Sequence, residues 1–297
     1  MPTVANNFTT VVHREPYAAI SPSRAQLSQK GKVVLVTGSS GGIGFAIARA
    51  FGKASAAKVI LTGRHQGPLD TAVATLSKES PQTTFIARLN DASDIASVEE
   101  LWKQFDAEGL VVDVLVLNVA RVQPTHGSIL EIGYKEVVAD LATNANSIAA
   151  FVDFFYHQSK RDTSKKLSLV NISTEAIHNF EITARIPNYS ASKSAGTILV
   201  QQIAKHVSPD DLQIVSFHPG AIFTRAAEKA GYTRTTLNWD DEGLPGHYAV
   251  WAASDEAKFL HGRFTWAAWD VDEISSGKIR ERIDGDANYL KVGVIGL

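Results

Sequence analysis

Residues Lys32 to Ala54 read KVVLVTGSSGGIGFAIARAFGKA: a short apolar run, a glycine-rich turn, then apolar residues at helical spacing. The run ends at Gly38, as a strand buried on both faces does. From Gly42 onward the apolar positions recur with the period of a helix. Strand, glycine turn and helix N-terminus in that order make an anion site, because free backbone N–H groups point outward and the helix dipole favours negative charge. Gly38 allows the tight turn, Gly42 allows a pyrophosphate to approach the backbone, and Gly44 allows close helix–strand packing. A merely flexible loop is the bland alternative, and the flanking strand and helix speak against it. The stretch predicts dinucleotide binding, with Gly38, Ser40, Gly42, Ile43 and Gly44 as contact residues.

The alternation continues outward. Further strands are predicted at 58–64, 83–90, 111–120, 165–173, 211–220 and 262–270, with helices at 67–80, 94–109, 133–158 and 189–207 between them. Such alternation predicts an α/β fold: one doubly wound parallel sheet of about seven strands with helices on both faces. Residues 29–297 read as a single domain without an internal linker, preceded by an N-terminal extension at 1–28 that either trails as a disordered tail or wraps a neighbour. The stretch 219–246 fits the alternation least well. It follows a strand's carboxyl end, where ligands bind in such sheets, and is read as a substrate lid. Its Phe223, Tyr232, Leu237 and Trp239 suit a fairly apolar ligand, although such residues also simply pack a lid.

Composition removes several classes of function. With 44% apolar and 20% charged residues, the 297-residue chain has the profile of a soluble globular enzyme or binding protein. A net charge of −2 leaves no basic footprint for nucleic acid. No apolar stretch approaches the roughly 20 residues of a membrane span. The polar first 28 residues lack the apolar segment of a secretory signal, so a cytoplasmic location is expected. Without cysteine, disulfides, thiolate catalysis and cysteine metal sites are excluded. The nine histidines include no i, i+4 pair beside a carboxylate, so no metal site is expected.

NYSASKSAG, residues Asn188 to Gly196, sets Tyr189 and Lys193 on one face of a helix. By itself that spacing is weak evidence. Combined with the T-G-x-x-x-G-x-G turn, it resembles the short-chain dehydrogenase/reductase family over roughly Gly31 to Asp270. YAAISPSRAQLSQKGK and NWDDEGLPGHYAVWAAS look like its fungal members. The resemblance implies a Rossmann fold, a nicotinamide cofactor, carbonyl/alcohol chemistry in fungal secondary metabolism, and a homodimer or homotetramer built on the helices near 133–158 and 189–207.

The cofactor can be narrowed from the residues. After the second strand, where an NAD enzyme places a carboxylate against the ribose 2′-hydroxyl, the chain reads LTGRHQ and no acid appears until Asp70. Arg64 offers a planar donor fork suited to a 2′-phosphate, which favours NADP over NAD. NDASDIASV resembles the family's D-x-x-D-x-x-S-V, so that Asp91 would accept from the adenine amino group with Ala92 beside it. Read blandly, Asp91 or Ser93 caps the next helix. LVLNVA resembles the family's N-A-G: Asn118 is kept, and Ala120 replaces a glycine near the cofactor ribose. HPGAIFT resembles P-G-x-x-x-T, placing Pro219 and Gly220 at the nicotinamide, the Ile222 backbone at its carboxamide and Thr224 at the phosphates. His218 reads as a satisfied strand-end histidine.

Hydride transfer to a ketone leaves an oxyanion that needs a proton. A phenol with a pKa of about 10 is a poor acid–base near neutrality, and a neighbouring ammonium lowers it, so Tyr189 with Lys193 is a chemically sensible pair. Lys193 can also bond the nicotinamide ribose. The resemblance adds a hydroxyl that polarises the carbonyl and an asparagine that holds a water beside the lysine. Asn144 matches that asparagine ahead of Asn146. NISTEA matches the hydroxyl position at Thr174 ahead of Ser173, although both can also simply bond the loop backbone. The expected activity is NADP(H)-dependent interconversion of a ketone and a secondary alcohol, a small-molecule substrate with no nucleic acid or membrane partner. Two other readings stay open: a cofactor-binding protein without turnover, and a non-redox enzyme of dehydration or cyclisation in the same pocket.

Overall fold

The computed structural model describes residues 8–122, 127–184, 186–229 and 231–294; the first seven residues of the extension and Ala230 of the lid stretch lie outside them. Apolar β-branched runs make the strands. β1 (Val33–Val36), β2 (Lys58–Gly63), β3 (Thr84–Leu89), β4 (Val114–Leu117), β5 (Leu167–Ile172), β6 (Leu212–His218) and β7 (Arg263–Trp266) form one sheet. All neighbours are parallel, in the order β3-β2-β1-β4-β5-β6-β7. Every residue of β4, β5 and β6 is buried, which is why these runs show no polar alternation.

Between the strands lie α1 (Gly42–Lys53), α2 (Gln66–Glu79), α3 (Ile95–Glu108), α4 (Ile129–Ile132), α5 (Tyr134–Leu141), α6 (Ser147–Tyr156), α7 (Phe180–Thr183), α8 (Pro187–Ala204), α9 (Arg225–Lys229), α10 (Gly243–Ala252), α11 (Val271–Ile274) and α12 (Gly277–Gly285). On one sheet face α1, α2 and α10 bury Ile47, Phe51, Leu69, Leu76, Tyr248 and Trp251. On the other, α3, α6 and α8 bury Leu101, Trp102, Phe105, Phe151, Phe155 and Val200. The strand order reverses between β2-β1 and β4-β5, so the crevice at the strands' carboxyl ends opens there.

Three local readings differ from expectation. The helix expected at 133–158 is interrupted: α5 passes into a π turn at Ala142–Asn146 before α6 begins. The cap of α3 is Asp94, whose side chain accepts from the Ala96 N–H, and neither Asp91 nor Ser93. Asp91 instead accepts from the backbone and hydroxyl of Ser93, closing a local turn one step earlier. The extension lies along the far edge of the sheet. Phe8 stacks on Trp269 at 4.1 Å, Val12 bridges Trp269, Glu273 accepts from the Thr10 and Val11 amides, and Ile20 and Leu27 are fully buried.

Candidate active site

The glycine turn has the geometry its sequence requires. Gly38 and Gly42 adopt φ of +64° and +56°, values open mainly to glycine. A Cβ on Gly44 would stand 2.5 Å from the Gly38 carbonyl oxygen and 2.6 Å from Asn118 Nδ2, so only hydrogen fits between helix and strand. Asn118 in turn donates to the Thr37 and Gly38 carbonyls at 2.9 and 3.1 Å, bracing the turn from β4. Gly42 faces Thr224, whose methyl would meet a Cβ at 3.3 Å. The turn after β6 therefore reaches the N-terminus of α1, and the residues left between them are small or hydroxyl-bearing, as a diphosphate cradle needs.

At the end of β2, the Ser40 hydroxyl lies over Gly63, 3.5 Å from where a Cβ would stand. Arg64 follows, exposed and without an ion pair among the described residues. Its charge reaches Asp91: burial raises that carboxyl, but the Ser93 hydrogen bonds and the Arg64 field outweigh it and hold the group below its ordinary range. Asp91 and Arg64 thus flank one side of the crevice. Ala92 does not line it; its side chain is buried in the core against α3, so only its backbone can contribute. Ala120 is exposed at the crevice end of β4.

The catalytic candidates converge at the carboxyl end of β5. Thr174 stands beside Tyr189 and lowers its phenol's pKa against the effect of burial, and its hydroxyl accepts from the Ala176 N–H at 3.2 Å. Ser173 points the other way, its hydroxyl 2.6 Å from that of Thr197 on α8. Lys193, one turn after Tyr189 and 3% exposed, donates to the Ile172 carbonyl at 2.6 Å. Here the electrostatics depart from expectation. Burial pushes the Tyr189 phenol up to about 12, with Thr174 opposing, and no lowering by Lys193 accompanies it. The ammonium is itself pushed down to about 8 by burial and is spent on a main-chain carbonyl.

Asn144 is fully buried in the π turn, whereas Asn146 is exposed. Its side chain accepts from the Arg121 N–H at 2.8 Å and donates to the Arg121 carbonyl and Ser192 hydroxyl, both at 2.9 Å. That leaves its main-chain carbonyl turned to α8, where a Cβ on Gly196 would come within 2.2 Å.

Pro219 is buried and Gly220 takes φ +94°. Ile222 is 7% exposed and its backbone bridges Asp240. Asp240, which no motif flagged, clamps this turn. Its carboxylate accepts from the Ala221 N–H at 2.8 Å and lies 3.0 Å from Arg14 of the extension, while its own N–H donates to the Ala221 carbonyl at 2.8 Å. Within 219–246, Trp239 packs edge-on against Phe223 and Tyr232, so these rings serve that stretch's own packing. His218 is not satisfied as expected: its Nδ1 is buried without a hydrogen-bond partner among the described residues, and its Nε2 is 3.9 Å from Glu175 Oε1.

A parallel seven-stranded sheet, a glycine turn at its switch point and a Tyr–Thr–Lys–Asn cluster beside it define a nucleotide-dependent oxidoreductase architecture. The short chain dehydrogenase family profile matches residues 32–234, and the chain belongs to the short-chain dehydrogenase/reductase family. It is 34% identical over 294 residues to the short chain dehydrogenase/reductase nsrO of Aspergillus novofumigatus, covering 97% of this chain and 96% of the other. It is 32% identical over 300 residues to AacuD of Aspergillus aculeatus, with 97% and 96% covered. Among solved structures it resembles an NADP-bound 3-oxoacyl (acyl-carrier-protein) reductase from Agrobacterium tumefaciens, with a TM-score of 0.70, 22% identity, and 82% and 96% of the two chains covered. An L-sorbose reductase from Gluconobacter frateurii gives a TM-score of 0.72 at 18% identity, with 81% and 96% covered.

Proposed function

We propose that this protein interconverts a ketone and a secondary alcohol with NADP(H), with Tyr189 as the proton donor and acceptor. The observation that carries the reading is the contact of Tyr189 with Thr174, with Lys193 one helical turn on, at the strand end next to the glycine turn. The nicotinamide, when bound, supplies the hydride. Gly38, Ser40, Gly42, Ile43 and Gly44 would hold its diphosphate with Thr224 opposite; Asp91, Ala92, Asn118 and Ala120 flank the adenosine side, and Pro219, Gly220 and Ile222 the nicotinamide. Arg64, exposed and without an ion pair among the described residues, favours a 2′-phosphate. The Thr174 hydroxyl donates to the substrate oxygen and polarises the carbonyl. Tyr189 Oη gives its proton to that oxygen as it becomes an alkoxide. Lys193 would stabilise the phenolate left behind once its ammonium turns from the Ile172 carbonyl, and Asn144 keeps the strand-end loop and α8 in register.

The first test is a fluorescence titration with NADPH and NADH. Tighter NADPH binding is expected, and Arg64→Ala should erase the preference. Tighter NADH binding would retire the Arg64 argument, and binding of neither would remove the oxidoreductase reading. In a carbonyl screen, Tyr189→Phe should lower turnover by about 10²–10⁴-fold with cofactor affinity retained. Turnover at the wild-type rate would sink the assignment of the acid.

A further inference from the structure

Beside the catalytic cluster stands a second polar group that the reaction does not use. Glu175 directly follows Thr174, and His218 ends β6 just before Pro219. The two strands bring them together, since Ile172 pairs with Phe217 and the Ser173 N–H donates to the Phe217 carbonyl at 2.8 Å. Glu175 Oε1 and His218 Nε2 are 3.9 Å apart, too far for a hydrogen bond. Both side chains are largely covered, at 17% and 10% exposure. Glu175 Oε2 and His218 Nδ1 have no hydrogen-bond partner among the described residues, and neither has the neighbouring Trp266 Nε1.

Such a gap is unusual for a carboxylate and an imidazole. Elsewhere in this protein His13 and Asp270 close to 2.8 Å. Two constraints hold this pair open. The His218 ring is pinned edge-on by Trp266 at 4.5 Å. Burial, with His178 beside it, pushes the imidazole down to about 3, so it is neutral near pH 7 and gains no ion pair by closing.

We propose that Glu175 and His218 form a hydroxyl-binding subsite next to the reacting carbonyl, so that the substrate is a hydroxylated ketone. The inference rests on the ketone/alcohol reading above. A hydroxyl oxygen set to one side of the gap sits about 2.8 Å from both atoms. It donates to the carboxylate and accepts from the imidazole N–H. A carboxylate or phosphate is repelled by Glu175, and a carbonyl or ether has no proton to give it. Trp266, 4% exposed and edge-on to His218, supplies an apolar wall beside the pair.

Calorimetric titration, with and without NADP⁺, of acetophenone and its 2′-, 3′- and 4′-hydroxy derivatives tests this without turnover. At least one hydroxylated ketone should bind about 10–100-fold more tightly than the parent, the range expected for a hydrogen bond to a charged group. In Glu175→Gln and, independently, His218→Asn, the ratio of the two dissociation constants should fall toward one. No preference in the wild type, or one that survives both variants, overturns the subsite. Failure of the underlying reading looks different: no ketone is reduced with NADPH, whatever the binding preference.

Discussion

At the scale of single residues, the protonation states of Tyr189 and Lys193 decide direction and pH dependence. Burial holds the phenol protonated, with a pKa near 12, which is the form that ketone reduction consumes. Lys193 titrates near 8, well below an ordinary lysine, because its charged form is desolvated. Below that pH its ammonium is present to stabilise the phenolate. Above it, that support is lost. Reduction, read as kcat/KM, should be level in the neutral range and decline above about pH 8, whereas alcohol oxidation, which needs the phenolate, should rise into the alkaline range. Steady-state profiles in both directions check this, and a reduction rate that climbs through pH 9 would contradict it. The same scale shows why Ser173 and Thr174 could not be separated by motif. Successive residues of extended chain point to opposite sides, and only the packed structure shows that Ser173 meets Thr197 and Thr174 meets Tyr189.

At the scale of elements, the π turn at Ala142–Asn146 is the feature that sequence periodicity missed. One extra residue in a helical turn barely disturbs the apolar pattern, so 133–158 read as continuous. Within this turn the Asn144 carbonyl lies against α8 at Gly196. In an ordinary helix interior, replacing glycine by alanine is stabilising by roughly 0.5–1 kcal/mol. Here the added methyl would overlap a backbone oxygen, at a cost of about 1–3 kcal/mol. Gly196→Ala should therefore lower the melting temperature by several degrees and reduce kcat by disturbing Asn144. Thermal denaturation decides it: a rise in melting temperature would show that α8 has room to shift.

At the scale of the whole molecule, several large apolar side chains are open to solvent among the described residues. Leu130, Tyr134 and Val138 on α4 and α5 are 93%, 74% and 59% exposed, and Ile198 on α8 is 39% exposed. Scattered apolar residues need no explanation, but Tyr134, Val138 and Ile198 fall on the stretches 133–158 and 189–207 expected to mediate assembly, which favours the homodimer or homotetramer reading. Size-exclusion chromatography with light scattering should find at least a dimer, and Val138→Glu should shift it toward monomer by burying a charge at the contact. A monomeric wild type would end this reading. No described helix is long and apolar enough to cross a membrane, and no group of three or more metal-ligating side chains occurs among the described residues.

The chain's own order of residues determined the doubly wound sheet and its phosphate turn. Both follow from local patterns: continuous apolar runs bury on two faces, and glycines appear where backbone must turn or approach closely. The Tyr189–Lys193 pair was legible for the same reason, since both residues lie on one helix. What needed tertiary structure were the relations between distant segments. Asp240 reaches back to Ala221 and across to Arg14, Asn144 grips the Arg121 backbone, and Glu175 and His218 meet across two strands without closing. The upward shift of Tyr189 belongs with them, because a pKa depends on burial and on where the lysine's charge is spent. A linear pattern records which groups are available; only the folded packing decides which of them face each other and how much water lies between.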